Sequence, residues 1–158
     1  MTKTVRVVIE KTQDALDLEE KHGIDLGLKQ GYDHDAGYDV KACIPTSVVI
    51  KAGATEIFPT GLKMQLSSPD WEIQARSRSG LAAGAHIMVL NSPGTIDYGY
   101  RGEIKIILHN TSRESFLVNT GDRIAQLCFR EVPGVIIKYG KLDSSERGEG
   151  GLGSTGVQ

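Results

Sequence analysis

Residues 102–110 read "GEIKIILHN", with Ile104, Ile106 and Leu108 alternating against Glu103, Lys105 and Ile107. Successive side chains of a strand point to opposite faces, so this period of two is that of a half-buried strand. Working outward, β-rich runs of similar length recur on both sides: "VRVVI" (5–9), "YDVKACI" (38–44), "SVVI" (47–50), "TEIFPTGLKMQL" (55–66), "WEIQARS" (71–77), "HIMVLN" (86–91), "SFLV" (115–118) and "DRIAQLCF" (122–129). Glycine and proline punctuate them, and 19 glycines in 158 residues exceed the usual share of about 7%. Many short strands separated by turn signals predict an all-β fold, a jelly-roll-like β-sandwich or barrel. The exception is "DALDLEEKHGIDLGLKQ" (14–30), where Asp14 is expected to cap one short peripheral helix that Gly23 stops.

Length and charge set the bounds. A chain of 158 residues fits one domain with a core of its own. The formal charge of −2, with basic residues spread along the chain, offers no patch for nucleic acid. No apolar run approaches the ~20 residues of a membrane span. The N-terminus "MTKTVRVVIEK" lacks the apolar stretch of a signal peptide, so a soluble, cytoplasmic protein is expected. Cys43 and Cys128 sit in apolar contexts and are expected to be buried free thiols. No C-x-x-C or H-E-x-x-H spacing suggests a protein-built zinc site. From about Lys141 the composition becomes that of a flexible arm, giving a β-domain over 1–140 and an arm over 141–158.

Three polar clusters fall where strands should end: "DAGYDVKA" (35–42), "ARSRSGLAAG" (75–84) and "NSPGTIDYGYRGEIK" (91–105). Each can be read as a plain β-turn, since Asn, Pro, Gly and Asp are what turns need. The last residues add "GGLGSTGVQ" (150–158), which contains G-x-G-x-x-G. That spacing marks a dinucleotide site only between a strand and a helix, and here two residues remain after it. Together, Arg78, Ser79, Arg147, Ser154 and Thr155 have the chemistry of phosphate ligands, and glycine-flanked N–H groups form anion nests. No Walker sequence is present.

Five segments in order, "AGYDVKA" (36–42), "RSGLA" (78–82), "NSPGTIDYGYRGEIKI" (91–106), "GDRIAQL" (121–127) and "RGEGGLGSTG" (147–156), resemble the five motifs of the homotrimeric dUTPases. The resemblance runs from about residue 35 to the end. It implies a jelly roll that assembles as a homotrimer with shared active sites, cleaving dUTP to dUMP and pyrophosphate with Mg²⁺. It makes Asp97 the catalytic carboxylate that activates water, and Asp39 the residue that meets the metal through water. Asn91 would pair with uracil in a hairpin that includes Thr95 and Ile96. Tyr100 would lie under the deoxyribose, and Lys105 would touch substrate. Arg78, Ser79 and Gly80 would cradle the α- and β-phosphates, with Gln126 near the α-phosphate and Arg147 on the γ-phosphate. Leu152, Gly153, Ser154 and Thr155 would form a lid that excludes water.

One position departs from the family pattern: Leu152 stands where an aromatic usually stacks on uracil, a contact worth roughly 1–3 kcal/mol. Residues 10–34 are also longer than the usual connection and carry no family role. Two alternatives are a dCTP deaminase of the same fold, which needs a glutamate base, and a catalytically silent β-sandwich that binds nucleotide or protein. An aspartate in "TIDYGYRG" and an intact Arg147 argue against them.

Overall fold

The computed structural model describes residues 3–151. Among these, twelve strands and two short helices follow one another: β1 (Val7–Lys11), α1 (Gln13–His22), β2 (Lys29–Gln30), β3 (Gly37–Lys41), β4 (Val48–Ile50), β5 (Thr55–Pro59), β6 (Leu62–Leu66), β7 (Trp71–Arg76), α2 (Ser79–Ala85), β8 (Ile87–Val89), β9 (Gly94–Ile96), β10 (Lys105–Asn110), β11 (Phe116–Val118) and β12 (Arg123–Glu131). All pairings are antiparallel. The strands form a five-stranded sheet (β2-β3-β12-β7-β9), a three-stranded sheet (β5-β10-β8) and two pairs, β1-β6 and β11-β4. This is the expected all-β architecture.

The alternation in 102–110 holds: Ile104, Ile106 and Leu108 are buried, while Lys105 is exposed. They join Phe58, Leu62, Ile73, Val89, Ile124 and Leu127 in the main core, to which both the five-stranded and the three-stranded sheet contribute. At the end of β10, buried Asn110 is satisfied through its amide, which donates to the Ile50 and Glu114 carbonyls at 3.0 and 2.7 Å.

The run 55–66, read as one strand, is two. Its halves pair with different neighbours, β5 with β10 and β6 with β1. The corner is built by Thr60 and Gly61. Buried Thr60 donates its hydroxyl to the Ile104 carbonyl at 2.7 Å. Gly61 has φ +70, and a Cβ there would stand 2.5 Å from Ala15 Cβ and 2.9 Å from Cys43 Sγ. Only glycine fits both the left-handed backbone and the contact.

The helix at 13–22 is capped by Thr12, not by Asp14. The Thr12 hydroxyl accepts from the Ala15 N–H at 3.3 Å, and Asp14 sits in the first turn. Gly23 ends the helix in the left-handed conformation, as expected. Its buried Ala15 and Leu18 make a satellite core with Leu26 and Cys43. Both cysteines are free and buried, and burial, with Glu103 nearby, pushes the Cys43 thiol up to about 11. A second helix, α2, was not expected: "SGLAAGA" is short and rich in small residues, and none of its residues is fully buried, although Leu81 and Ala85 pack against the main core. His86, in the left-handed region at φ 56, caps its end. Beyond β12, from Val132 to Gly151, the chain is in no helix or strand and nearly every residue is exposed.

Candidate functional site

Strand β12 sits between β3 and β7, and Gln126 lies in register with both Asp39 and Arg76. These three share the outer face of the sheet, because Leu127 and Val40, one step along their strands, point into the core. Gln126 donates its amide to the Ser77 carbonyl at 2.9 Å. It lies over Gly37, where a Cβ would stand 2.1 Å from Gln126 Oε1. Glycine in the "AGYD" segment is therefore a close-approach requirement of its neighbour's amide.

Asp39 is clamped from two sides. Its Oδ1 accepts from Arg78 Nε at 2.8 Å and its Oδ2 from Arg123 Nη1 at 3.1 Å. Arg78 also donates to the Arg123 carbonyl at 3.2 Å. The Asp39 and Arg78 side chains are only 17% and 23% exposed, so the charge-assisted bond between them is screened less than a surface pair. Arg78 is the N-cap residue of α2, which the Ser77 hydroxyl ties to β8 by accepting from the Val89 N–H at 2.8 Å. The result is an open cavity of about 490 Å³ lined by Asp39, Arg78, Ser79, Gly80 and Gln126, together with Arg123 and the residues before β3.

Arg123 is the addition here. By simple parity along β12, residues 123 and 126 face opposite ways. A bulge between Arg123 and Ala125 shifts the register, so Arg123 pairs with Lys41 and reaches the Asp39 face. Its presence inside "GDRIAQL" was the available signal.

The second group lies around the loop between β9 and β10, which belong to different sheets. Strand β9 pairs with β7, Ile96 opposite Ile73. The chain then turns at Asp97, whose carbonyl accepts from the Tyr100 N–H at 3.0 Å. The Tyr100 phenol donates to the Glu103 carbonyl at 2.9 Å. Arg101 stacks over the Tyr98 ring at 5.7 Å and donates to the Tyr98 and Tyr100 carbonyls at 2.6 and 2.9 Å. A smaller cavity of about 210 Å³ is lined by Thr95, Ile96, Asp97, Tyr100, Ile104 and Lys105. Apart from the core residue Ile104, each was expected from sequence.

The residues thus gather into two cavities that share no lining residue. Asn91 is in the exposed turn before β9, its amide facing Gly94, and lines neither cavity. Arg147 is exposed in the arm and donates to the Gly150 carbonyl at 2.9 Å. Leu152, Gly153, Ser154 and Thr155 lie outside the described residues. Among the described residues, no three carboxylate, imidazole or thiol side chains converge as a metal cage.

The family model for dUTPase matches residues 27–156. The deoxyuridine 5'-triphosphate nucleotidohydrolase of Neorickettsia sennetsu is 42% identical over 139 residues, 87% of this chain and 93% of that protein. The protein of the same name from Clostridium kluyveri is 47% identical over 127 residues, 80% of this chain and 87% of its own. In fold, the chain is similar to a variant of the Staphylococcus bacteriophage 80alpha dUTPase determined with dUpNHpp. The TM-score is 0.77 at 23% identity, covering 99% of this chain and all of that one.

Proposed function

This chain belongs to the dUTPase family, and we propose from that premise that it hydrolyses dUTP to dUMP and pyrophosphate in a homotrimer with shared active sites. The grouping of Thr95, Ile96, Asp97, Tyr100 and Lys105 around one cavity, apart from Asp39, Arg78, Ser79, Gly80 and Gln126 around another, carries the reading. Nucleoside and phosphate ligands in separate cavities suit a site completed between copies. The arm beyond β12 supports assembly too. Val135, Ile136, Ile137, Tyr139 and Leu142 are 74–99% exposed, an apolar run that a neighbouring copy would cover. In this reading residues 141–158, which follow that run, are the part of the arm that closes over the site.

In this reading Asn91 pairs its amide with uracil, and the hairpin that follows fits too closely for thymine's methyl. Tyr100 lies under the deoxyribose and leaves no room for a ribose hydroxyl. Asp97 orients a water and takes its proton as the water attacks the α-phosphorus in line. The bond from that phosphorus to the bridging oxygen breaks, and pyrophosphate leaves. Arg78, Ser79, Gly80 and Gln126 hold the phosphate chain. Arg147 and the Leu152–Thr155 segment close over it and exclude water.

The donor set suits a magnesium ion carried by the triphosphate better than a resident ion. Asp39 already accepts from two guanidiniums and would meet the ion through a water, as this hydrated cation prefers. When bound, the ion neutralises phosphate charge beside Asp97. The reaction belongs to the cell interior, where it removes dUTP and supplies dUMP; no helix among the described residues is long and apolar enough to cross a membrane. The test is pyrophosphate release from dUTP, dTTP, dCTP and UTP. Rapid release from dUTP alone is expected; comparable turnover of UTP would overturn the role of Tyr100.

A further inference from the structure

The hairpin between β2 and β3, "GYDHD" (31–35), lies outside the segments that resemble the family motifs. It nevertheless walls the 490 Å³ cavity through Gly31, Tyr32 and Asp35. The hairpin is braced from within. Asp35 Oδ2 accepts from the Tyr32 N–H at 2.8 Å, the Asp35 N–H donates to the Tyr32 carbonyl at 3.2 Å, and Gln30 donates its amide to the Asp35 carbonyl at 2.7 Å. Lys29 and Gln30 pair with Asp39 and Tyr38, so the tip is tied to the strand that carries Asp39.

On this turn Tyr32 stands 82% exposed, and among the described residues its phenol has no hydrogen-bond partner. The same cavity holds Arg78 and Arg123, each of which already gives an N–H to Asp39. A phosphate chain entering there gains from any further donor that is not already engaged. The Tyr32 phenol is such a donor.

We propose that Tyr32 is a further substrate-contacting residue, its phenol donating a hydrogen bond to the phosphate chain held by Arg78 and Ser79. The inference rests on the dUTP-hydrolysing reading above and extends the phosphate cradle to the hairpin before β3. Tyr32→Phe removes one donor at an exposed position and keeps the ring.

In the full-length chain, this variant should raise KM for dUTP and the dissociation constant of inorganic triphosphate together, by about three- to tenfold. Its kcat should change less than about twofold, the split expected when ground and transition states lose the same contact. Inhibition by deoxyuridine, which has no phosphate, should not move. Equal weakening of deoxyuridine, or unchanged dUTP and triphosphate constants in both Tyr32→Phe and Tyr32→Ala, would overturn the inference and leave the functional reading intact. Absence of turnover in the unmodified chain would remove the functional reading alone, because calorimetric binding of inorganic triphosphate still decides whether Tyr32 touches phosphate.

Discussion

Replacing Gly37 by alanine puts a methyl where Gln126 now rests. The new Cβ would lie 2.1 Å from Gln126 Oε1 and 3.1 Å from its Cδ, inside the 3.0 Å limit for the first. The backbone can stay, because β3 is extended there, so the glutamine side chain swings away and its 2.9 Å bond to the Ser77 carbonyl breaks. The stability terms nearly cancel. Losing that bond costs about 0.5–1.5 kcal/mol, while alanine restricts the unfolded chain and returns about 0.4–1 kcal/mol. Tm should therefore move by less than about 4 °C for a chain of this size. Activity should not be spared. An amide bonded to a charged phosphate is worth about 1.5–3 kcal/mol, so kcat/KM for dUTP should fall roughly 10- to 150-fold. The assay is steady-state pyrophosphate release from Gly37→Ala, Gln126→Ala and the double variant. On the Gln126→Ala background the alanine at 37 should cost less than about twofold, since both changes remove one contact. If it costs as much there as in the unmodified chain, the effect does not pass through Gln126 and the reasoning fails.

His86→Gly should stabilise the chain by about 0.5–1 kcal/mol in thermal unfolding, because a non-glycine residue is strained at its left-handed φ of 56. For Cys43, the folded thiol keeps its proton up to about 11 while the unfolded one releases it from 9.0. Stability should therefore fall as pH rises through that window, and Cys43→Ala should flatten the fall. A chain lacking residues 147–158 and an Asp97→Asn chain should each be inactive. Refolded together they should regain partial activity, and mixed trimers that form by native mass spectrometry yet stay inactive would show that the Asp97 loop and the arm act within one copy.

What the sequence made legible was whatever is written in local periodicity. The strand at 105–110 announced itself through Ile106 and Leu108, and the cavity around Thr95, Asp97 and Tyr100 comes from one continuous segment. The misses have long-range causes. Thr60 and Gly61 divide a run that looks uninterrupted, because the corner is set by contacts with Ile104, Ala15 and Cys43. Helix α2 is seven residues of mostly small side chains, and the single pair Leu81 and Ala85 that packs against the core is too little of a 3.6 period to read. The cap fell on Thr12 instead of Asp14, a two-residue error of the kind local propensity cannot settle. Arg123 was hidden by a bulge, and the part of Tyr32 and Asp35 in the cavity wall depends on a hairpin whose first strand is only two residues long.

The larger cavity brings two carboxylates, Asp35 and Asp39, and two guanidiniums, Arg78 and Arg123, to one opening. Their formal charges cancel. Four side chains so balanced cast little field of their own beyond the ionic atmosphere. Through these four groups alone, salt should change the encounter with a nucleotide little. A phosphate that arrives there must then compete with Asp39 for the N–H groups of its two arginines.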